Sequence, residues 1–127
     1  MAVYSLAPIF NPQYIANSAA ALVFATPGAP TAVPANYAYR IECMRVVNVT
    51  AAPVALTVFR VPVSASADAT HTVVPVTVLV PVATQTFPHF DVTALWGAVL
   101  KAGDAIWATA GSASALTVTA DGAVITQ

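Results

Sequence analysis

The chain has 127 residues, enough for one domain that buries roughly two thirds of its unfolded surface and too few to ask for a second. Only 7% of it is Asp, Glu, Lys or Arg, against about 25% in ordinary soluble domains, and the net charge is −1. With Arg40, Arg45, Arg60 and Lys101 as its only cations it offers no basic stripe to a nucleic-acid backbone, and it has no run of about 20 apolar residues for a membrane-spanning helix.

The 58% hydrophobic fraction includes 28 alanines, which bury little area, so the shortage of charge is the sharper feature. It predicts a surface covered in large part by other protein. Met1 to Phe10 lacks a basic start and contains Pro8, so it is not read as a secretory signal. The lone Cys43 excludes an intrachain disulfide, fits a reducing cytoplasm, and reads as a small buried apolar residue on a strand. Val (20) and Thr (14) favour pleated strands, and ten prolines from Pro8 to Pro88 forbid long helices. An all-β, jelly-roll-like β-sandwich of about eight strands follows, with residues 1–18 as an extended N-terminal arm and 19–127 as the single sandwich domain.

In chain order, Met1 to Ser18 has no clear period and predicts an arm with at most one edge strand. Ala19 to Ala25 predicts a short strand around Leu22 and Phe24, stopped by a proline-rich loop from Thr26 to Asn36. Tyr37 to Val49 is the longest strand. Its apolar set shifts from Tyr37, Tyr39, Ile41 and Cys43 to Met44 and Val46, which requires a bulge or twist near Cys43. Asn48 to Pro53 predicts a turn and Val54 to Pro62 a returning strand, the two strands forming a hairpin with Leu56 and Val58 on one face. Ser64 to Thr70 is a loop, Thr72 to Val80 a strand and Thr84 to Phe90 another, followed by a helical turn at Asp91 to Gly97 capped by Asp91. Asp104 to Ala110 and Ala115 to Ala120 flank a Gly111-Ser112 turn, and Asp121-Gly122 predicts a tight turn into a last strand, Ala123 to Thr126.

Candidate chemistry is sparse. His89 and Asp91 share a strand face, and only with His71 would they make a metal or base site of cupin type. No serine elbow or clustered glycine loop occurs, so no catalytic residue, metal ligand or cofactor is assigned. Asn48-Val49-Thr50 matches a glycosylation sequon and is discounted for want of a secretory signal. Arg40 and Glu42 share a face and predict a modest surface ion pair. Trp96 and Trp107 read as core or interface anchors.

The stretch Val99 to Ile106 (VLKAGDAI), followed by Ala113 to Val118 and Asp121-Gly122, resembles the ending of small tailed-phage virion proteins, in which a hydrophobic-x-x-Gly-Asp-x-Ile step precedes two small-residue strands. Asn17 to Ala20, Tyr39 to Asn48 and Val54 to Val63 resemble the opening strands of the same proteins, so the likeness spans roughly Ala16 to Ile125. The Pro27 to Asn36 loop and the Pro81 to Trp96 segment depart from it, both longer and richer in proline. The resemblance implies a sandwich attached to a phage particle as a capsid cement or decoration protein, or as a tail or connector accessory, with no cofactor. The expected role is therefore structural and non-enzymatic. The chain is expected to assemble in the host cytoplasm into the virion, as a homo-oligomer contacting the major capsid protein or other virion proteins, without nucleic acid or membrane. Interface candidates are Tyr4, Leu6, Ile9, Phe10 and Tyr14 on the arm, the proline loop before Asn36, and the aromatics Phe87 and Phe90. The rival expectation is a receptor- or glycan-binding module of a tail fibre, which asks for a concave patch of Trp, Asn and Asp.

Overall fold

The computed structural model describes residues 3–80 and 89–127. Among these residues are nine strands, β1 (Val3–Tyr14), β2 (Ala20–Ala21), β3 (Tyr37–Asn48), β4 (Val54–Val61), β5 (Thr72–Val80), β6 (His89–Asp91), β7 (Val99–Leu100), β8 (Ala105–Ala110) and β9 (Leu116–Thr126). A larger antiparallel sheet runs β1-β9-β3-β6, with β7 also on β3, and a smaller one runs β2-β8-β4-β5. Among the described residues the only helical turns are 3-10 turns at Ala69–His71 and Thr93–Leu95. The all-β expectation holds, in the form of a β-sandwich.

Side-chain alternation builds the core between the sheets. On β4 Leu56 and Val58 are buried while Thr57 and Phe59 are half-exposed on the other face, and on β8 Ala108 and Ala110 alternate with Trp107 and Thr109 in the same way. On β3 the buried positions are Tyr39 and Ile41, then Met44, Val46 and Asn48. The change of parity sits where the register with β9 slips, between Ile41 and Cys43. One extra residue on β3 therefore turns two mismatched apolar sets toward one core, so of the expected bulge or twist it is the bulge that forms. Gly122 faces Ile41 across this slip, and a Cβ there would collide with the carbonyl oxygen of Arg40. Asp121-Gly122 is thus no turn. It lies inside a continuous β9, and glycine is there because the bulge brings two backbones together.

The predicted hairpin between Tyr37–Val49 and Val54–Pro62 does not form. β3 belongs to the large sheet and β4 to the small one, and the Gly111 region likewise carries the chain from one sheet to the other. Asn48 explains the first crossing. Its fully buried amide donates to the carbonyls of Ala52 (2.7 Å) and Val80 (3.1 Å), and its Oδ1 accepts from the Thr50 N–H (2.8 Å) and hydroxyl (2.7 Å). That network pins the loop over the end of the core and leaves no amide hydrogen or access for glycosylation. Other local corrections are smaller. The predicted strand at Ala19–Ala25 is only the two-residue β2, Cys43 is half-buried, and Asp91 lies on β6 while Val92 caps the 3-10 turn without a side-chain bond. The strand expected at Thr84–Phe90 falls mostly outside the described residues.

The edge strand expected within residues 1–18 forms, and it makes Val3–Tyr14 part of the sandwich. β1 pairs with β9 from Val3 to Tyr14, slipping register at Pro8/Phe10 and again before Gln13. Its second half and the residue after it are welded in place: Ile9, Phe10 and, just past the strand, Ile15 are buried, and Phe10 stacks on Phe24 (5.1 Å between centroids), which in turn meets Tyr39 (4.8 Å). Gln13 adds a two-way side-chain bond with the backbone of Val23, at 2.9 and 3.0 Å. Ile9 and Phe10 are therefore core residues of this chain, not the interface residues expected, because the edge strand dips inward where it meets Phe24.

Candidate functional site

A sheet edge carries a row of backbone N–H and C=O groups with no strand beside them, and it invites another strand unless something blunts it. Among the described residues, three of the four edges are blunted. β2 is two residues long; β5 carries Pro75 in its middle; the far side of β3 is closed by the short β6 and β7, with charged side chains over them. β1, with β9 as its only neighbour among the described residues, is twelve residues long. Pro8 and Pro12 break its second half, whereas Val3 to Ala7 contains neither proline nor charge.

Val3 to Ala7 is also where apolar surface collects. Leu6 is 79% exposed, Tyr4 55% and Val3 53%, and Tyr14 at the other end of the strand is 58% exposed. Directly opposed residues share a face, so Tyr4 stands in line with Ile125 and Ala38, and Leu6 with Ala123 and Arg40. Of the sequence candidates, Tyr4, Leu6 and Tyr14 thus lie exposed on one strand, Ile9 and Phe10 are interior, and Phe90 is half-buried against the core on β6. Phe87 lies outside the described residues. The loop before Asn36 is anchored by Val33, which is buried and exchanges backbone bonds with Gly103 (2.8 Å) and Asp104 (2.9 Å).

Arg45 and Asp91 lie at the flank of the same sheet away from β1, whereas Glu42 and Asp121 line a shallow groove with Leu6 and Pro8. Arg40 Nε lies 3.2 Å from Glu42, and Arg45 Nε 3.0 Å from Asp91 Oδ1, which His89 also approaches at 3.8 Å. These pairs are well exposed, so each contributes at most about 1 kcal/mol. Two further charges are used internally. Asp104 is buried and accepts backbone bonds from Val63 and Lys101, and Arg60 on β4 reaches the Val99 carbonyl (2.8 Å), tying the two sheets together at one end. Burial, with a smaller effect from neighbouring Tyr37, pushes the Tyr39 phenol up to about 12, and its hydroxyl donates to the Thr26 carbonyl.

The cupin-like reading needed His71, His89 and Asp91 to meet. His71 instead pairs with Asp68 (2.9 Å) at the start of β5 in the small sheet, and among the described residues no three His, Cys, Asp or Glu side chains come within reach of one metal ion. The Thr70 hydroxyl, helped by the Thr70 N–H and His71 and opposed by desolvation, holds the Asp68 carboxyl below its usual range. Beside this turn a shallow depression of about 570 Å³ is lined by Thr57, Phe59, Asp68, Thr72 and Pro75. Trp107 lies next to Phe59 across the β4–β8 pairing, and Trp96, 42% exposed, donates weakly to the Met44 carbonyl (3.4 Å).

One signal of this edge is readable in residue order alone: no Asp, Glu, Lys, Arg or His precedes Arg40. A third of the chain is thus free of charged side chains, and it contains the one long unblunted edge among the described residues. No family model matches the chain, nor does any curated protein or solved structure.

Proposed function

We propose that this chain is a non-enzymatic structural protein of a tailed-phage particle, a jelly-roll-type cement or decoration protein that binds the major capsid protein and reinforces the shell. The observation that carries the assembly role is the N-terminal edge: Val3, Tyr4 and Leu6 exposed together on an uncharged strand. Exposed apolar side chains scattered singly are ordinary, but a cluster on an open sheet edge marks a contact surface. The strand order supports the jelly-roll part, because the chain changes sheet at most of its connections instead of folding back in hairpins. The phage part rests on the likeness of Ala16 to Ile125 to virion proteins.

Repetition makes weak contacts sufficient in such a role. Each copy held on a shell meets its neighbours at high effective concentration, so a modest apolar patch acts as an intramolecular contact. Mass spectrometry of gradient-purified virions from the host tests the assignment. The chain is expected in the particle band at a stoichiometric level, and its absence from washed particles would remove the virion reading.

The depression beside Phe59 favours a second reading, a receptor- or glycan-binding module of a tail or fibre. An aromatic face with a carboxylate and two threonines around it is the chemistry of a sugar site. Saturable binding of the isolated chain on a glycan array, lost in Phe59→Ala, is the result this reading requires.

A further inference from the structure

We propose that two copies of this chain associate edge to edge through Val3–Ala7 of β1, in antiparallel register about a two-fold axis at Ser5. The occupant follows from the geometry of the edge. A free strand edge is recognised by another extended strand, and an antiparallel pair formed by one segment with its own copy is self-complementary, as a two-fold interface must be. Centring the pair on Ser5 sets Tyr4 of each copy opposite the second copy's Leu6. Tyr4 and Leu6 share the outer face of the large sheet with Ile125 and Ala38, so the pairing joins four exposed apolar side chains into one cluster.

Charge argues for a like partner. Val3–Ala7 and its cross-strand neighbours 122–126 on β9 carry no charged side chain, and Glu42 and Asp121, which share a groove with Leu6, stand at the Pro8 end, away from the centre at Ser5, so repulsion between two copies is small. The remaining edges lack this property, being short, interrupted by proline or covered by ion pairs. Beyond Ala7, Pro8 and Pro12 withhold N–H groups, which confines the pairing to the first half of the strand and stops it from growing into an open-ended ladder. The dimer would carry one continuous sheet through both sandwiches, its two charged β3–β6 flanks at the outer ends.

This inference rests on the assembly reading for its purpose and on β1 for its geometry, and the two can fail separately. Sedimentation velocity of the full chain over a concentration series is the test, with Leu6→Lys and, in a Cys43→Ser background, Ser5→Cys. The ammonium introduced by Leu6→Lys would lie near Glu42 and Asp121, which line the same shallow groove as Leu6, so the fold accommodates it. Wild type is expected to dimerise, Leu6→Lys to weaken the dimer by at least about tenfold with an unchanged circular dichroism spectrum, and Ser5→Cys to form a disulfide-linked dimer on mild oxidation. A Thr119→Cys control on the centre of the sheet is expected to stay uncrosslinked. A wild-type monomer at every soluble concentration, a dimer indifferent to Leu6→Lys, or equal crosslinking of the Ser5→Cys and Thr119→Cys variants overturns the pairing. Recovery of the chain in purified virions in any of those cases leaves the assembly role standing on another surface.

Discussion

The two flanks of the large sheet solve the same problem in opposite ways. On one side β3 is closed by two short strands, β6 and β7, and Arg45 pairs there with Asp91 of β6. On the other, β1 runs for twelve residues with no charged side chain, and its first half shows apolar residues to solvent. Charge placed over a short edge keeps strands away from it; its absence over a long one leaves it open. The low overall charge is therefore not spread evenly. It is the sum of one guarded flank and one unguarded one.

This comparison holds only if both flanks belong to a single sheet joined through β9, and Gly122 is where that joint is tightest. Gly122→Val is expected to cost at least about 3 kcal/mol in urea unfolding, since the added side chain meets the Arg40 backbone, which no rotamer change relieves. A loss below about 1 kcal/mol would mean that β3 and β9 are not held in this bulged register. Next in size is Asn48→Ala, expected to destabilise by about 3 kcal/mol because the buried Val80 carbonyl and the part-buried Thr50 N–H lose their bonds to Asn48.

Tyr39→Phe is expected to cost about 1 kcal/mol at neutral pH through the bond to Thr26. Its pH behaviour is more telling. The phenol's pKa is raised from 10.0 to about 12 in the folded chain, so its contribution is complete below pH 10 and is lost as pH rises from 10 to 12, where only the unfolded chain readily ionises. Wild type is expected to lose on the order of 2 kcal/mol across that window, and Tyr39→Phe to lose less, by denaturation at matched pH. Smallest of all is the guarded flank. A double-mutant cycle on Arg45 and Asp91 is expected to give a coupling below about 1 kcal/mol that shrinks with salt. A larger value would make those charges structural supports instead of a guard on the edge.

Residue order carried the sheet content and the β3 bulge, because both depend on which side chains alternate. The need for a bulge or twist was visible in the jump from Ile41 and Cys43 to Met44 and Val46. Sheet membership was not legible: Asn48–Pro53 marks a turn equally well whether the chain folds back beside itself or arches over the core, and only the buried Asn48 network decides it. Asp121-Gly122 misled for a related reason. Glycine serves tight turns and close backbone approaches alike, and the approach depends on Arg40, which lies far earlier in the chain. On β1 the alternating pattern was hidden by two register slips, so Ile9 and Phe10 looked as available as Tyr4 and Leu6 until their packing on Phe24 was seen.

The most direct test of unequal flanks is hydrogen exchange measured as a function of protein concentration. Protection at residues 3–7 is expected to rise with concentration while that at His89–Asp91 stays constant. Protection at residues 3–7 that never changes, or a rise at His89–Asp91 instead, would contradict the assignment of β1 as the edge through which this chain meets its partners.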